Sequence, residues 1–194
     1  MLLFFAFFSA ALAFAPPVLP VAFNTTFIMT LPGALVDPTQ QAFWSYDSLQ
    51  GGQYVWHPSC PFGGSTGCSI FFAGGYSNPV IYSVSSVSMT SQPLSCCLFF
   101  AGVPILPRVT FSKYQFVINT TILHAQYGSL NAGLFFSQNR QCLTVNGVDL
   151  NRIIDVDTVW DLPSIATWSV GAQPSNWFQA PSICQRAKVC GTKK

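Results

Sequence analysis

The stretch Gln141-Cys142-Leu143-Thr144-Val145-Asn146-Gly147-Val148 decides how the chain is read. Asn-Gly tolerates the positive φ angles of a type I′ turn, whose twist matches that of two antiparallel strands. A hairpin turning through Asn146-Gly147 therefore predicts a β protein. The next run supports this reading. Over residues 152–160, Ile154, Val156, Thr158 and Trp160 fall on one face of an extended chain, with Asp155 and Asp157 on the other. The run is expected as one half-buried strand.

Working outward, the period of two recurs at Val21, Phe23, Phe27 and Met29 around Thr25. Strands are also expected at residues 53–56, 69–72, 80–89, 94–100, 109–118 and 132–137, separated by Gly, Pro, Ser and Asn turn chemistry. Few stretches run ten residues without Gly, Pro or paired β-branched residues, so helix is scarce. One short helical turn near Pro38–Phe43 is the exception. The expected fold is all-β and mostly antiparallel, a curved two-sheet sandwich or half-barrel with little helix. No repeat or linker divides it, which leaves one domain over residues 14–194.

Residues 1–15 carry no ionisable side chain, and an apolar run from Leu2 to Phe8 ends in Ser9-Ala10-Ala11. This is the pattern of a signal peptide, and Ala11-Leu12-Ala13 places cleavage after Ala13. The run is shorter than the roughly 20 apolar residues that span a bilayer. Secretion makes Asn24-Thr25-Thr26 and Asn119-Thr120-Thr121 valid glycosylation sequons, both expected at the surface. Glycans would offset a composition that is 7% charged, has no Glu and is 50% hydrophobic.

Seven cysteines in an exported chain imply disulfides, with one left over: Cys60, Cys68, Cys96, Cys97, Cys142, Cys184 and Cys190. Closure of Cys60 onto Cys68 around a Gly-rich segment is the nearest pairing. Neighbours on a strand point to opposite faces, so Cys96 and Cys97 are expected to bridge to different partners rather than act as a redox pair. A net charge of +2, scattered along the chain, excludes a nucleic-acid footprint.

Catalytic patterns fail on chain order. Gly63-Gly64-Ser65-Thr66-Gly67 matches a nucleophile elbow, yet that motif needs an acid and then a histidine to follow its serine. No Asp lies between Ser65 and His124, and no His follows Asp149. His57 and His124 read as structural loop residues, and an enzyme is not expected. Asp155, Asp157 and Asp161 read first as a solvated strand edge, and their closeness in sequence suggests calcium as the sharper alternative. No other cofactor is implied.

Three segments resemble the ependymin-related family of secreted glycoproteins. They are Phe43-Trp44-Ser45-Tyr46-Asp47, then Phe135-Phe136-Ser137-Gln138-Asn139-Arg140-Gln141-Cys142, then the run from Trp160 through Trp168 and Phe178 to Cys184. After the first, the family usually continues with basic residues where this chain has Gly51-Gly52-Gln53-Tyr54. The resemblance implies two curved antiparallel sheets like those of bacterial lipoprotein carriers, a hydrophobic pocket between them, calcium sensitivity and frequent homodimers. The shortage of acids counts against the calcium property, and the Cys60–Cys68 segment has no counterpart in the family.

The aromatic surplus then suggests a function. An apolar cavity in a curved sheet gains about 0.8 kcal/mol for each ligand CH₂ that it buries. The expected partner is a hydrophobic small molecule or lipid, lined by Trp44, Tyr54, Phe111, Tyr114, Phe135, Trp160 and Trp168. The competing expectation is an extracellular structural or adhesion module with a filled core, linked through its odd cysteine.

Overall fold

A computed structural model describes residues 18–30, 41–60, 66–102, 115–121, 124–129, 141–146, 149–155 and 158–191. The protein is mainly antiparallel β, with thirteen strands among these residues. The first meander comprises β1 (Ala22–Thr30), β2 (Gln41–Asp47), β3 (Gly52–His57), β4 (Gly67–Ala73), β5 (Val80–Ser86) and β6 (Ser95–Ala101). The second comprises β7 (Gln115–Thr121), β8 (His124–Ser129), β9 (Gln141–Asn146), β10 (Asp149–Asp155) and β11 (Thr158–Asp161). They join where β11 pairs with the end of β1, Met29 opposite Trp160. The start of β1 pairs instead with β12 (Ser169–Val170). At the far edge β13 (Lys188–Val189) runs parallel to β6. Among the described residues the sheet stays open, ending at β13 on one side and β7 on the other.

Alternation sorts the side chains of the first meander into two faces, because residues directly opposite across a ladder share a face. The first face carries Phe23, Phe27, Trp44, Tyr46, Val55, Ile70, Phe72 and Ile81. These residues merge with Leu150, Ile153, Leu162 and Trp168 into one buried cluster spanning both meanders. Each large side chain so buried contributes about 1.5–3 kcal/mol.

The opposite face carries Phe43, Tyr54, Phe71, Tyr82 and Val84. It is covered by a C-terminal strap with 3-10 turns at Ser175–Phe178 and Ser182–Arg186, while an earlier 3-10 turn at Ile165–Thr167 packs through Ile165 on the core face. The strap lays Trp177 against Phe43 and Tyr54, each at 5.0 Å between ring centroids. Phe178 sits over Gly52, where a Cβ would collide with its ring. Both faces of this meander are therefore buried, which explains the near-continuous apolar run through β4.

Three disulfides fix the arrangement: Cys60–Cys68, Cys96–Cys184 and Cys97–Cys190, with Cα–Cα distances of 5.1, 5.3 and 5.0 Å. The Cys60–Cys68 closure and the divergence of the vicinal pair are as expected from the sequence. Cys96 lies opposite Val84 on the strap side and Cys97 opposite Ser83 on the core side, so the two bridges grip the strap from both faces of β6. With these six cysteines paired, Cys142 on β9 has no cysteine partner within the chain.

The structure corrects four expectations. Residues 41–43 of the expected helical turn belong to β2, because Ala42, Trp44 and Tyr46 alternate into the core; residues 38–40 lie outside the described residues. The run 152–160 is two strands, with Asp155 opposite Thr158 and Ile153 opposite Trp160. The reversal flips the phase, so Ile153 and Asp155 share a face with Trp160 and Thr158 while Ile154 lies with Val159 on the other, against the expectation that set Ile154 with Trp160 and Asp155 opposite them. Asn146 pairs with Asp149, so the β9–β10 hairpin closes one residue later than expected. The three 3-10 turns after β11 went unforeseen, since each is only three to five residues long and follows proline or serine rather than a periodic pattern. The expected strand at 132–137 and residues 109–114 of another lie outside the described residues, as do the leader and Ser65. No described helix is long and apolar enough to cross a membrane.

Candidate functional site

On the core face, β1, β2, β3 and β11 place aromatic side chains side by side. Trp44 meets Phe23 edge-on at 4.9 Å, Trp160 at 6.0 Å and Trp168 at 6.3 Å. Phe27 stacks on Trp160 at 4.9 Å and meets His57 edge-on at 6.3 Å. These contacts form an aromatic cradle. Register explains it: Thr25 lies opposite Trp44, which sets Phe23 and Phe27 on either side, while the β1–β11 pairing brings in Trp160 beside Met29.

Three of the seven expected lining residues thus come together: Trp44, Trp160 and Trp168. Tyr54 does not join them. It lies opposite Ser45, on the strap side, where its hydroxyl meets Ser69 Oγ at 2.9 Å and burial pushes its pKa up to about 12. Reading Tyr54 as a lining residue overlooked the alternation that separates it from Trp44. Phe111, Tyr114 and Phe135 lie outside the described residues.

His57 was not expected here. It ends β3, on the same face as Val55, and is only 4% exposed. Burial without a compensating charge lowers its pKa to about 4, so the ring is neutral near pH 7. The signal was available in the alternation Gln53, Val55, His57, which continues inward up to Pro58. Four buried side-chain atoms lack a hydrogen-bond partner among the described residues: Trp44 Nε1, Trp56 Nε1, His57 Nδ1 and Asn151 Oδ1. Trp168, by contrast, donates its indole N–H to Pro163 O at 3.1 Å.

A second constellation is polar and fully engaged. Asp47, 1% exposed, accepts from Leu49 N at 2.9 Å, Gln50 N at 3.1 Å, Gln50 Nε2 at 2.8 Å and Gln173 N at 3.1 Å. Burial on its own would raise its pKa, but the donors from Gln173, Gln50 and Leu49 together outweigh it and hold the carboxyl below its usual value. Asn24 Nδ2 donates to Gln173 Oε1 at 2.7 Å, and Gln50 Nε2 donates to Gln173 O at 2.6 Å. The group locks the strap to β1 and β2. Sequence gave no hint of Gln173, which lies 126 residues from Asp47.

Asn24 therefore departs from the exposed sequon that was expected: it is half-buried in the middle of β1, with its amide nitrogen on the strap. Asn119 lies on β7, and His124 begins β8. In the acidic group, Asp161 is bound by its cross-strand partner Arg152, Nε to Oδ1 at 2.6 Å, which takes one carboxylate from the suggested calcium ligands. No group of three metal-ligating side chains occurs among the described residues. No protein-family model matches the chain, and no curated protein matches it.

Proposed function

We propose that the chain is a secreted, glycosylated, disulfide-bonded carrier of a hydrophobic ligand, a lipid or similar molecule, held between its two meanders. The observation that carries this reading is the aromatic cradle. Trp44, Trp160 and Phe27 converge from three parts of the chain on the inner face of an open, curved sheet, and Trp160 keeps part of its surface exposed. Aromatic side chains gathered in this way suit acyl or ring systems. The resemblance to ependymin-related proteins points the same way, as do disulfides of a kind that persist in oxidising compartments. The reading needs no catalytic group. Its glycan is assigned to Asn119, since the Asn24 amide is committed to Gln173.

A second reading, an extracellular structural or adhesion module, draws on the packing of Trp44 and Trp168 around Phe23 and on Cys142, which could link two chains into a homodimer. Native mass spectrometry of protein secreted from eukaryotic cells, with lipid analysis of an organic extract, separates the two. Stoichiometric bound lipid is expected. Protein that emerges empty and fails to bind a fluorescent fatty-acid probe would leave the structural module as the better account.

A further inference from the structure

Trp44 Nε1 and His57 Nδ1 are both enclosed, and both lack a hydrogen-bond partner among the described residues. They are also neighbours. Trp44 lies opposite Val55, and His57 follows two residues later on the same face, a diagonal cross-strand relation within reach of aromatic side chains. Phe27 touches His57 on one side and Trp160 on the other, and Trp160 returns to Trp44, so the two side chains belong to one ring of contacts. A buried polar group left without a hydrogen bond is costly, so two such groups in one cradle call for a shared partner.

The chemistry of the pair selects that partner. Indole N–H can only donate, whereas an imidazole nitrogen without its proton accepts. A hydroxyl oxygen can accept from Trp44 and donate to His57 at once. An ether or ester oxygen can only accept, and a carboxylate would enter without a compensating cation: the ring of His57 is neutral, and Arg152 is half-exposed and bound to Asp161.

We infer that Trp44 and His57 form a polar subsite for the hydroxyl group of an otherwise apolar molecule, a sterol or long-chain alcohol in chemical class. The inference rests on the carrier reading and narrows its ligand.

The test compares hexadecan-1-ol with hexadecyl methyl ether as competitors of an uncharged fluorescent probe, N-phenyl-1-naphthylamine, on the intact protein. The alcohol is expected to bind about tenfold more tightly, the ratio set by one buried hydrogen bond. His57→Phe should abolish that ratio by weakening the alcohol alone, and His57→Gln should restore part of it. Trp44→Phe should weaken both competitors. Equal binding of alcohol and ether to the unmutated protein would overturn the subsite, a result that depends on no variant folding. Loss of preference through equal weakening of both ligands in His57→Phe would overturn it too, as would tenfold preference surviving that change. If the probe itself does not bind, the carrier reading fails first and the subsite falls with it.

Discussion

Two buried titratable groups respond to acid in separate ranges. His57 has its pKa lowered to about 4 from an ordinary 6.5, so between these values the unfolded chain takes up a proton that the folded chain refuses. Stability from this source is intact above pH 6.5 and falls as pH drops toward 4, by on the order of 3 kcal/mol. Asp47 acts lower. Its folded pKa is depressed, so its contribution is present above about 3.8 and is lost as pH falls through the folded value. Tyr76, whose hydroxyl donates to Ser48 O nearby, is neutral throughout this range and leaves the sign unchanged. Urea unfolding at successive pH values should therefore show an acid slope from 6.5 to 4 that His57→Phe flattens. Asp47→Ala should lower stability at pH 7 by about 3 kcal/mol, because Leu49, Gln50 and Gln173 lose their acceptor.

At the scale of elements, the strap and β3 fit through a missing side chain. Gly52 leaves room for Phe178, so Gly52→Ala should cost about 1–3 kcal/mol and disturb the near-ultraviolet dichroism of Trp177. The same scale separates what was legible from what was not. Strands such as β1 and β4 announced themselves, because period-two alternation and aromatic runs are local properties of the chain. The β10–β11 reversal did not, since Ile153 and Trp160 become neighbours only once the register is known. In the candidate site, Trp44, Trp160 and Trp168 were nominated for size alone; which of them would share a face with one another and not with Tyr54 depended on cross-strand pairing. Gln173 was invisible for a similar reason, as its role comes from a partner far along the chain.

In the whole molecule, the sheet edge at β6 is sealed by a two-residue strand and two long-range disulfides, separated by 88 and 93 residues. Each cross-link is expected to contribute about 2–4 kcal/mol, largely by restricting the unfolded chain. Cys97→Ser with Cys190→Ser should lower the midpoint of thermal unfolding and speed amide hydrogen exchange across β6, while β2 and β3, inside the sheet, keep their protection. Unchanged exchange at β6 would mean that the core alone holds the edge.

The strap also sets a timetable for biosynthesis. Cys184 follows Cys96 by 88 residues, Cys190 follows Cys97 by 93, and Gln173 follows Asp47 by 126. Until those residues have been synthesised, Asp47 lacks one of its donors, Tyr54 and Phe43 lack the cover of Trp177, and β6 lacks its β13 partner. The growing chain therefore carries an adhesive half-sheet, with Cys96 and Cys97 still without their disulfide partners, for as long as the strap is unmade, which makes it a natural client for chaperones and disulfide isomerases during that interval.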